Sequence, residues 1–196
     1  MRDSTKMRTQ NLLALLRSET SQAHDTLDRA HDGGDFASLD DYGRFLETQA
    51  RIFPAAEAYL AASPEFRTLS DWADRLRSDA LMADLAALGR NQPPLLSFSF
   101  EDRPGVAAGI AYVLEGSRLG GKLIARKLER GGLQGAPVSF IAHGADDRFW
   151  PRFTAWLSAR DQGKAYAEDA LAAANATFGL FLVAVKQASE KSTASD

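Results

Sequence analysis

The amino-acid sequence predicts an all-α protein that folds as a single helical domain. Alanine, leucine, arginine and glutamate, which favour helices, dominate the chain of 196 residues. Runs of β-branched residues are nearly absent, and no pair of segments carries the turn residues of a β-hairpin. We expect one domain over residues 10–188, between flexible polar tails at residues 1–9 and 189–196.

Helix-starting and helix-ending residues divide this domain into helices. Ser38 or Asp40 caps the second helix, and Pro54 within it should kink or break the chain. Residues 90–104, which contain two adjacent prolines, indicate an extended surface linker, and residues 131–137 indicate a loop. The predicted helices cover residues 9–29, 39–62, 65–78, 79–88, 104–130, 146–159 and 162–188.

Composition and charge exclude several classes of protein. The formal net charge of −3 lacks the excess of basic residues that nucleic-acid binding needs, so we expect no nucleic-acid partner. No cysteine is present, which excludes disulfides, thiolate catalysis and iron–sulfur clusters. We see no apolar run of transmembrane length and no secretory signal, and we therefore expect a cytoplasmic protein without a membrane partner, monomeric by default.

The first predicted helix carries a histidine between an arginine and an aspartate. His24 lies at the border of the apolar face, about 20° from Leu13, with Arg17 about 10 Å away along the axis and Asp28 one turn later. A neutral imidazole binds iron through one nitrogen, and a nearby carboxylate orients the other nitrogen. Arg17 is far enough along the helix from His24 for its guanidinium to contact a propionate of a haem whose iron is bound by the histidine. The same pattern is also typical of a packed histidine beside solvated charges, so both interpretations remain open.

The helix predicted over residues 104–130 is unusually rich in glycine. Gly109, Gly116 and Gly120 lie within about 40° of one another on the helical wheel, although each interior glycine costs about 1 kcal/mol relative to alanine. Such a stripe indicates either a tight helix crossing or a flat ligand lying against bare backbone. In the second case the hydroxyl of Tyr112 could reach the ligand rim and Ser117 could hold a water molecule.

Together, the two segments resemble the haem oxygenase family, specifically its bacterial branch. The residues that carry the resemblance are the Leu-Arg-x-x-Thr-x-x-x-His pattern at 16–24 and YVLEGSRLGG at 112–121, and the Phe-Trp-x-x-Phe pattern beginning at Phe149 also fits. The resemblance implies a single-domain helical fold in which haem lies between the first helix and a kinked, glycine-rich helix. It also implies opening of haem to biliverdin, CO and ferrous iron, using O₂ and electrons from a ferredoxin or an NAD(P)H reductase.

The resemblance further implies a role for individual residues. His24 matches the proximal iron ligand, and Asp28 matches the carboxylate that is hydrogen-bonded to that ligand. Arg17 matches a propionate contact, and Tyr112 a propionate or pocket contact. The distal wall, against which catalysis takes place, matches Gly116, Ser117 and Gly120, of which Gly116 and Gly120 would also contact haem.

The sequence also bears on other kinds of site. A di-iron carboxylate site needs Glu-x-x-His pairs, and the sequence has none. Thiaminase-like enzymes that use a cysteine nucleophile are excluded by composition. A divalent metal held by His24, Asp25, Asp28 and His31 remains an alternative, as do a non-catalytic haem carrier or sensor and a helical interaction module that has lost haem. The discriminating observation is whether added haemin gives a Soret band and whether that band decays with reductant in air.

Overall fold

A computed structural model describes residues 11–30, 36–145, 147–160 and 163–193 of the chain. Within these ranges the regular structure is entirely helical, as predicted, with no β-strand. The predicted tail at 1–9 and the helix-ending segment at 31–35 lie outside the described residues. The α-helices are α1 (Leu12–Ala30), α2 (Leu39–Ala50), α3 (Phe53–Ala62), α4 (Ser78–Ala87), α5 (Val106–Arg130), α6 (Ser139–Ala142), α7 (Phe149–Ser158) and α8 (Lys164–Thr193).

Two local predictions in the first half of the chain are confirmed. The side chain of Ser38 caps α2 by accepting a hydrogen bond from the backbone N–H of Asp41 at 3.1 Å. The predicted helix over 39–62 is broken at Pro54, which occupies the first turn of α3, where its missing N–H is tolerated.

The helix predicted over residues 65–78 is wrong. This segment forms two 3₁₀ turns, at Phe66–Thr68 and Ala73–Arg75, which direct the side chains of Asp71 and Arg75 into the interior. There, Arg75 donates to Asp71 Oδ1 at 2.7 Å and to the carbonyl of Phe149 at 3.0 Å. Tertiary hydrogen bonds to a buried guanidinium therefore outweigh the helix propensity of the segment.

Two buried carboxylates cap helices from a distance. Glu57 accepts hydrogen bonds from the backbone N–H groups of Arg77 and Ser78, each at 2.9 Å, at the start of α4. Asp84 does the same for α6, accepting from the N–H of Phe140 at 2.8 Å. These acceptors satisfy N–H groups that have no partner within their own helix. Helix α6 is absent from the sequence prediction because four residues are too short to show a helical period.

Helix α8 is the scaffold on which both α1 and α5 pack. A Cβ on Gly109 of α5 would collide with the backbone of Ala170 and approach that of Ala174 on α8, and His24 of α1 contacts Phe178. Ala174 and Phe178 are one turn apart and within about 40° on α8, so α1 and α5 approach neighbouring sides of the same helix. Among the described residues, α1 and α5 make little direct contact with each other.

The register between α5 and α8 places the glycine-rich part of α5 near α1. Gly105 contacts Tyr166 and Gly109 contacts Ala170, so the two helices run in the same direction. Seven residues further along, at about 1.5 Å per residue, Gly116 is level with the part of α8 that includes Phe178. The gap between α1 and α5 at this level is called the α1–α5 cleft below.

Helix α8 also differs from the prediction in length and composition. It continues to Thr193, past the predicted end of the domain at residue 188. Its 164–190 stretch is long and apolar enough to cross a membrane, by length and composition only, so the expectation that no run approaches that length was too strong. Core helices of soluble proteins share this property, and nearly half of the most apolar part of α8 is buried against the other helices.

Candidate functional site

Helix α1 carries the predicted iron ligand at the end of its buried row. Leu12, Leu16 and Thr20 are buried at successive turns. His24 is the next residue in this row, and its ring stands edge-on to Phe178 with the ring centroids 6.2 Å apart. Its side chain is nevertheless 59% exposed, more than its place at the border of the apolar face predicts. The core row therefore ends in a histidine of which only one edge is covered.

Asp28 orients the imidazole of His24. Its Oδ2 lies 3.2 Å from Nδ1 of the histidine, one turn away, and its side chain is 64% exposed. In the neutral imidazole, an Nδ1–H that donates to this carboxylate leaves the lone pair on Nε2 for a metal. Because both groups are exposed, their contact contributes little to stability. Its effect is to orient the imidazole ring of His24.

Arg17 lies on the same helix, seven residues before His24. It is exposed, and it forms no ion pair within the described ranges. Its guanidinium is therefore available to an anionic group of a bound molecule, as the sequence predicts for a propionate.

The glycines of α5 divide into two pairs with different surroundings. A Cβ on Gly109 would collide with the carbonyl of Ala170 on α8, and one on Gly121 would collide with the carbonyl of Ile141 on α6. At these two positions the tight helix crossing is the correct interpretation, so Gly109 does not belong to a ligand-binding stripe.

Gly116 and Gly120 face open space. At Gly116 the nearest atom to an added Cβ is Cζ3 of Trp150 at 4.0 Å, and at Gly120 nothing lies within 4 Å. Neither glycine is required by packing within the described chain or by a positive φ. Since each weakens the helix, an external group that approaches the backbone accounts for them best. Helix α5 is helical at every residue through this region, so the expected kink does not interrupt it.

Apolar side chains accompany this bare stretch of α5. Leu119 and Leu123 are 58% and 53% exposed, the highest values among the large hydrophobic residues that the structure describes. They are one turn apart and flank Gly120. Exposed leucines beside a strip without side chains form an apolar surface of the kind that binds flat ligands.

Tyr112 and Trp150 border the same surface, whereas Ser117 is exposed but has its hydroxyl engaged in hydrogen bonds within the protein. The ring of Tyr112 is half-buried and lies 6.3 Å from that of Trp150, to which the sequence assigned no role beyond its place in the Phe-Trp-x-x-Phe pattern. The hydroxyl of Ser117 donates to the carbonyl of Leu114 at 2.7 Å and accepts a hydrogen bond from Arg77. These bonds compete with the water-holding role that the sequence predicts for Ser117.

A buried cluster of charges lies behind α5, on the side opposite to the open glycines. Arg77 donates to the carbonyl of Leu114 at 2.9 Å, and its guanidinium stacks on the rings of Phe53 and Phe140. Nearby, Glu115 forms ion pairs with Arg75 and with Arg118. Sequence reasoning missed this cluster, and its only signal was the presence of Glu115 and Arg118 within the otherwise uncharged stretch 106–121 of α5.

Burial changes the acid–base properties of this cluster. Burial lowers the pKa of Arg77 to about 9, with a further contribution from Arg118, so Arg77 remains charged at neutral pH. Burial and the positive charges of Arg118 and Arg77 also lower the pKa of His143. Burial alone would raise the pKa of Asp71, but hydrogen bonds from Arg75 and Arg152 lower it.

The alternative metal cluster of His24, Asp25, Asp28 and His31 lies partly within the described residues. Within the described ranges no three histidine, aspartate or glutamate side chains are grouped closely enough to share a metal ion. His31 lies outside those ranges.

Comparisons with known proteins show which chains this one resembles. A heme oxygenase of Xanthomonas campestris pv. campestris is 35% identical over 149 residues, which cover 72% of this chain and 87% of that protein. The heme oxygenase of Neisseria meningitidis, solved with bound NO and CO, superposes with a TM-score of 0.80 at 20% identity, covering 91% of this chain and 92% of that chain. The heme oxygenase of Leptospira interrogans superposes with a TM-score of 0.74 at 19% identity, covering 90% and 99%. No family model matches the chain.

The structural comparisons define the class of fold, which is the all-helical fold of bacterial haem oxygenases. The sequence comparison then defines the family. This chain belongs to the haem oxygenase family, whose members are oxidoreductases that degrade haem.

Proposed function

We propose that this protein is a haem oxygenase that opens haem to biliverdin, CO and ferrous iron with O₂ and external electrons. The observation that supports the proposal most directly is the pairing of an exposed, carboxylate-oriented imidazole on α1 with the open glycines of α5. His24 contacts Phe178 of α8, and the helical rise places Gly116 level with that part of α8. The donor set fits haem, because a neutral imidazole nitrogen is a common axial ligand and a flat macrocycle needs a surface without side chains.

On this proposal, each named side chain has a physical task. Nε2 of His24 ligates the iron, and Asp28 holds the ring in direction and tautomer. Arg17 pairs with a propionate, and Leu119 and Leu123 cover part of the porphyrin and keep water away from it.

Haem, as substrate, supplies the iron at which O₂ is activated and the ring that is opened. Gly116 and Gly120 leave room for O₂ between the ring and the helix. Behind the helix, Arg77 donates to the carbonyl of Leu114 and to the hydroxyl of Ser117, and these bonds hold the distal wall in place. Tyr112 lies at the edge of the pocket. Ser117 contributes its backbone, rather than its hydroxyl, to the distal wall.

The partners follow from the reaction. We infer that a ferredoxin or an NAD(P)H-dependent reductase supplies the electrons and that the reaction takes place in the cytoplasm. We propose no nucleic-acid or membrane partner, because the net charge is −3 and the apolar face of α8 is used within the fold.

A haemin titration followed by reduction in air tests the proposal. We expect a Soret band on binding, followed by its loss and the growth of a biliverdin band. His24→Ala should abolish turnover while the helical circular dichroism is unchanged, and added imidazole should partly restore activity. Gln22→Ala, a change at an exposed position of the same helix, is the matched control.

Each outcome of this experiment has one interpretation. A stable Soret band in the presence of reductant and O₂ would mean a haem carrier or sensor. The absence of a Soret band would mean that the protein is a helical interaction module that no longer binds haem. Either result would reject the proposed function.

A further inference from the structure

The turn of α5 that carries the open glycines is the weakest part of that helix. Three of the six residues from 116 to 121 are glycine, and a Cβ on Gly116 or Gly120 would meet no atom closer than 4.0 Å. Glycine gives a helix the least intrinsic support of any residue except proline. Contacts on the other side of the helix must therefore hold this turn in place.

Arg118 makes those contacts. Its side chain is only 8% exposed, and its Nε donates to Glu115 Oε1 at 3.1 Å. Nη1 lies 3.0 Å from Nδ1 and 3.1 Å from the carbonyl oxygen of His143, which directly follows α6. Nη2 donates to the carbonyl of Arg75, and the guanidinium also lies 5.0 Å from the ring centroid of Phe149. One planar group thus joins α5 to three other segments of the chain.

These contacts also position Trp150. Phe149, which stacks with both Arg118 and His143, begins α7 and directly precedes Trp150. The ring of Trp150 lies nearest of all atoms to the position of an added Cβ on Gly116. Arg118 therefore fixes two walls of the α1–α5 cleft relative to each other, namely the glycine-bearing turn and the indole.

We propose that Arg118 is a positioning residue that determines the orientation of bound porphyrin, and hence which bridge of the ring is opened, by fixing Gly116 relative to Trp150. This inference rests on the proposed haem oxygenase function. The four bridge carbons of a porphyrin differ mainly in the substituents at the ring edge. A pocket selects among them through walls that allow one rotation of the ring and exclude the others. Arg118 does not touch the substrate and acts through those walls.

The test compares Arg118→Met with Arg103→Met. Arg103 also forms two ion pairs, with Glu101 and Asp169, but it is half exposed and precedes α5, so its loss should leave the cleft unchanged. Amide hydrogen exchange of the segment 112–124 is measured without haem, and the proportions of the biliverdin isomers are measured by chromatography after turnover. Lower stability alone would reduce the amount of product without changing those proportions.

We expect exchange in Arg118→Met to be at least about tenfold faster, equivalent to about 1.4 kcal/mol. We also expect its isomer proportions to differ from those of the wild type and of Arg103→Met. His143→Leu, which removes one acceptor of Arg118 and leaves the others, should change both quantities in the same direction but less. Arg118→Lys keeps the charge without the planar fork and should not restore the wild-type proportions.

The inference is overturned if either quantity in Arg118→Met equals that of the wild type. If Arg118→Met does not fold, the same two measurements on Arg118→Lys and His143→Leu decide. A wild-type protein that gives no Soret band rejects the proposed function itself, whereas unchanged isomers from an active Arg118→Met reject this inference alone.

Discussion

A single methyl group at position 120 should make the ligand-free protein more stable and haem binding weaker. In Gly120→Ala the new Cβ meets no atom within 4 Å, so it causes no steric strain in the ligand-free protein. Alanine is favoured over glycine in a helix by about 1 kcal/mol. For a domain of this size, that gain corresponds to a rise of about 2–4 °C in the melting temperature.

The same methyl group occupies space that the proposal assigns to haem and O₂. Forcing one extra carbon into a closely packed contact costs about 1–3 kcal/mol. At about 1.4 kcal/mol per factor of ten, the dissociation constant for haemin should rise at least fivefold. A substitution that raises the melting temperature but weakens haemin binding is expected only where the glycine leaves space for an external ligand.

Gly109→Ala is the matched control for this prediction. Its Cβ would collide with the backbone carbonyl of Ala170, which cannot move without shifting α8. The cost of overpacking, about 1–3 kcal/mol or more, should exceed the propensity gain, so this variant should melt at a lower temperature than the wild type. Thermal unfolding followed by circular dichroism measures stability, and a Soret titration measures binding. A Gly120→Ala protein that binds haemin as tightly as the wild type, or that melts at a lower temperature, would refute the reasoning.

Three further predictions concern charged side chains. Asp28→Asn should weaken haem binding by about 10–100-fold and leave the melting temperature nearly unchanged, because Asp28 is exposed; tight binding by this variant in a Soret titration would show that His24 needs no carboxylate. Arg17→Glu should raise the haemin dissociation constant through repulsion of a propionate, and the increase should shrink in high salt; a constant equal to that of the wild type removes Arg17 from the site. The lowered pKa of His143 means that the unfolded chain takes up a proton near pH 6.5 while the folded protein resists it, so the wild type should lose stability as the pH falls below about 6.5. His143→Gln should lose less unfolding free energy between pH 7 and pH 5, as measured by urea unfolding. Equal losses in the two proteins would contradict the role given to His143.

The helical periodicity of the sequence predicted most of the fold, but it failed where tertiary polar contacts decide. Pro54 marks the break between α2 and α3 correctly, because a proline constrains the backbone wherever it occurs. The segment containing Asp71 and Arg75 has helical composition, yet Arg75 binds partners 40 and 74 residues away in the chain. No local pattern contains that information.

The candidate site was predictable on α1 and only partly on α5. His24 and Asp28 are one turn apart, and that spacing alone brings them together. Gly109 and Gly116 share a face of α5, but α8 covers the first and leaves the second open. The angle on a helical wheel gives the face that a residue occupies, whereas the position of a neighbouring helix decides how much of that face is covered.

The buried arginines explain how a bare strip of helix can be held in a defined position. A wall without side chains has nothing on the ligand side to fix it, so α5 must be fixed from behind. Arg77 donates to the carbonyl of Leu114, and Arg118 binds the carbonyls of Arg75 and His143. Buried charges of this kind add little net stability compared with well-packed apolar residues. Their directional bonds instead hold the backbone beside Gly116 in one position, and Gly116 and Gly120 leave that backbone uncovered on the side where we propose that haem binds.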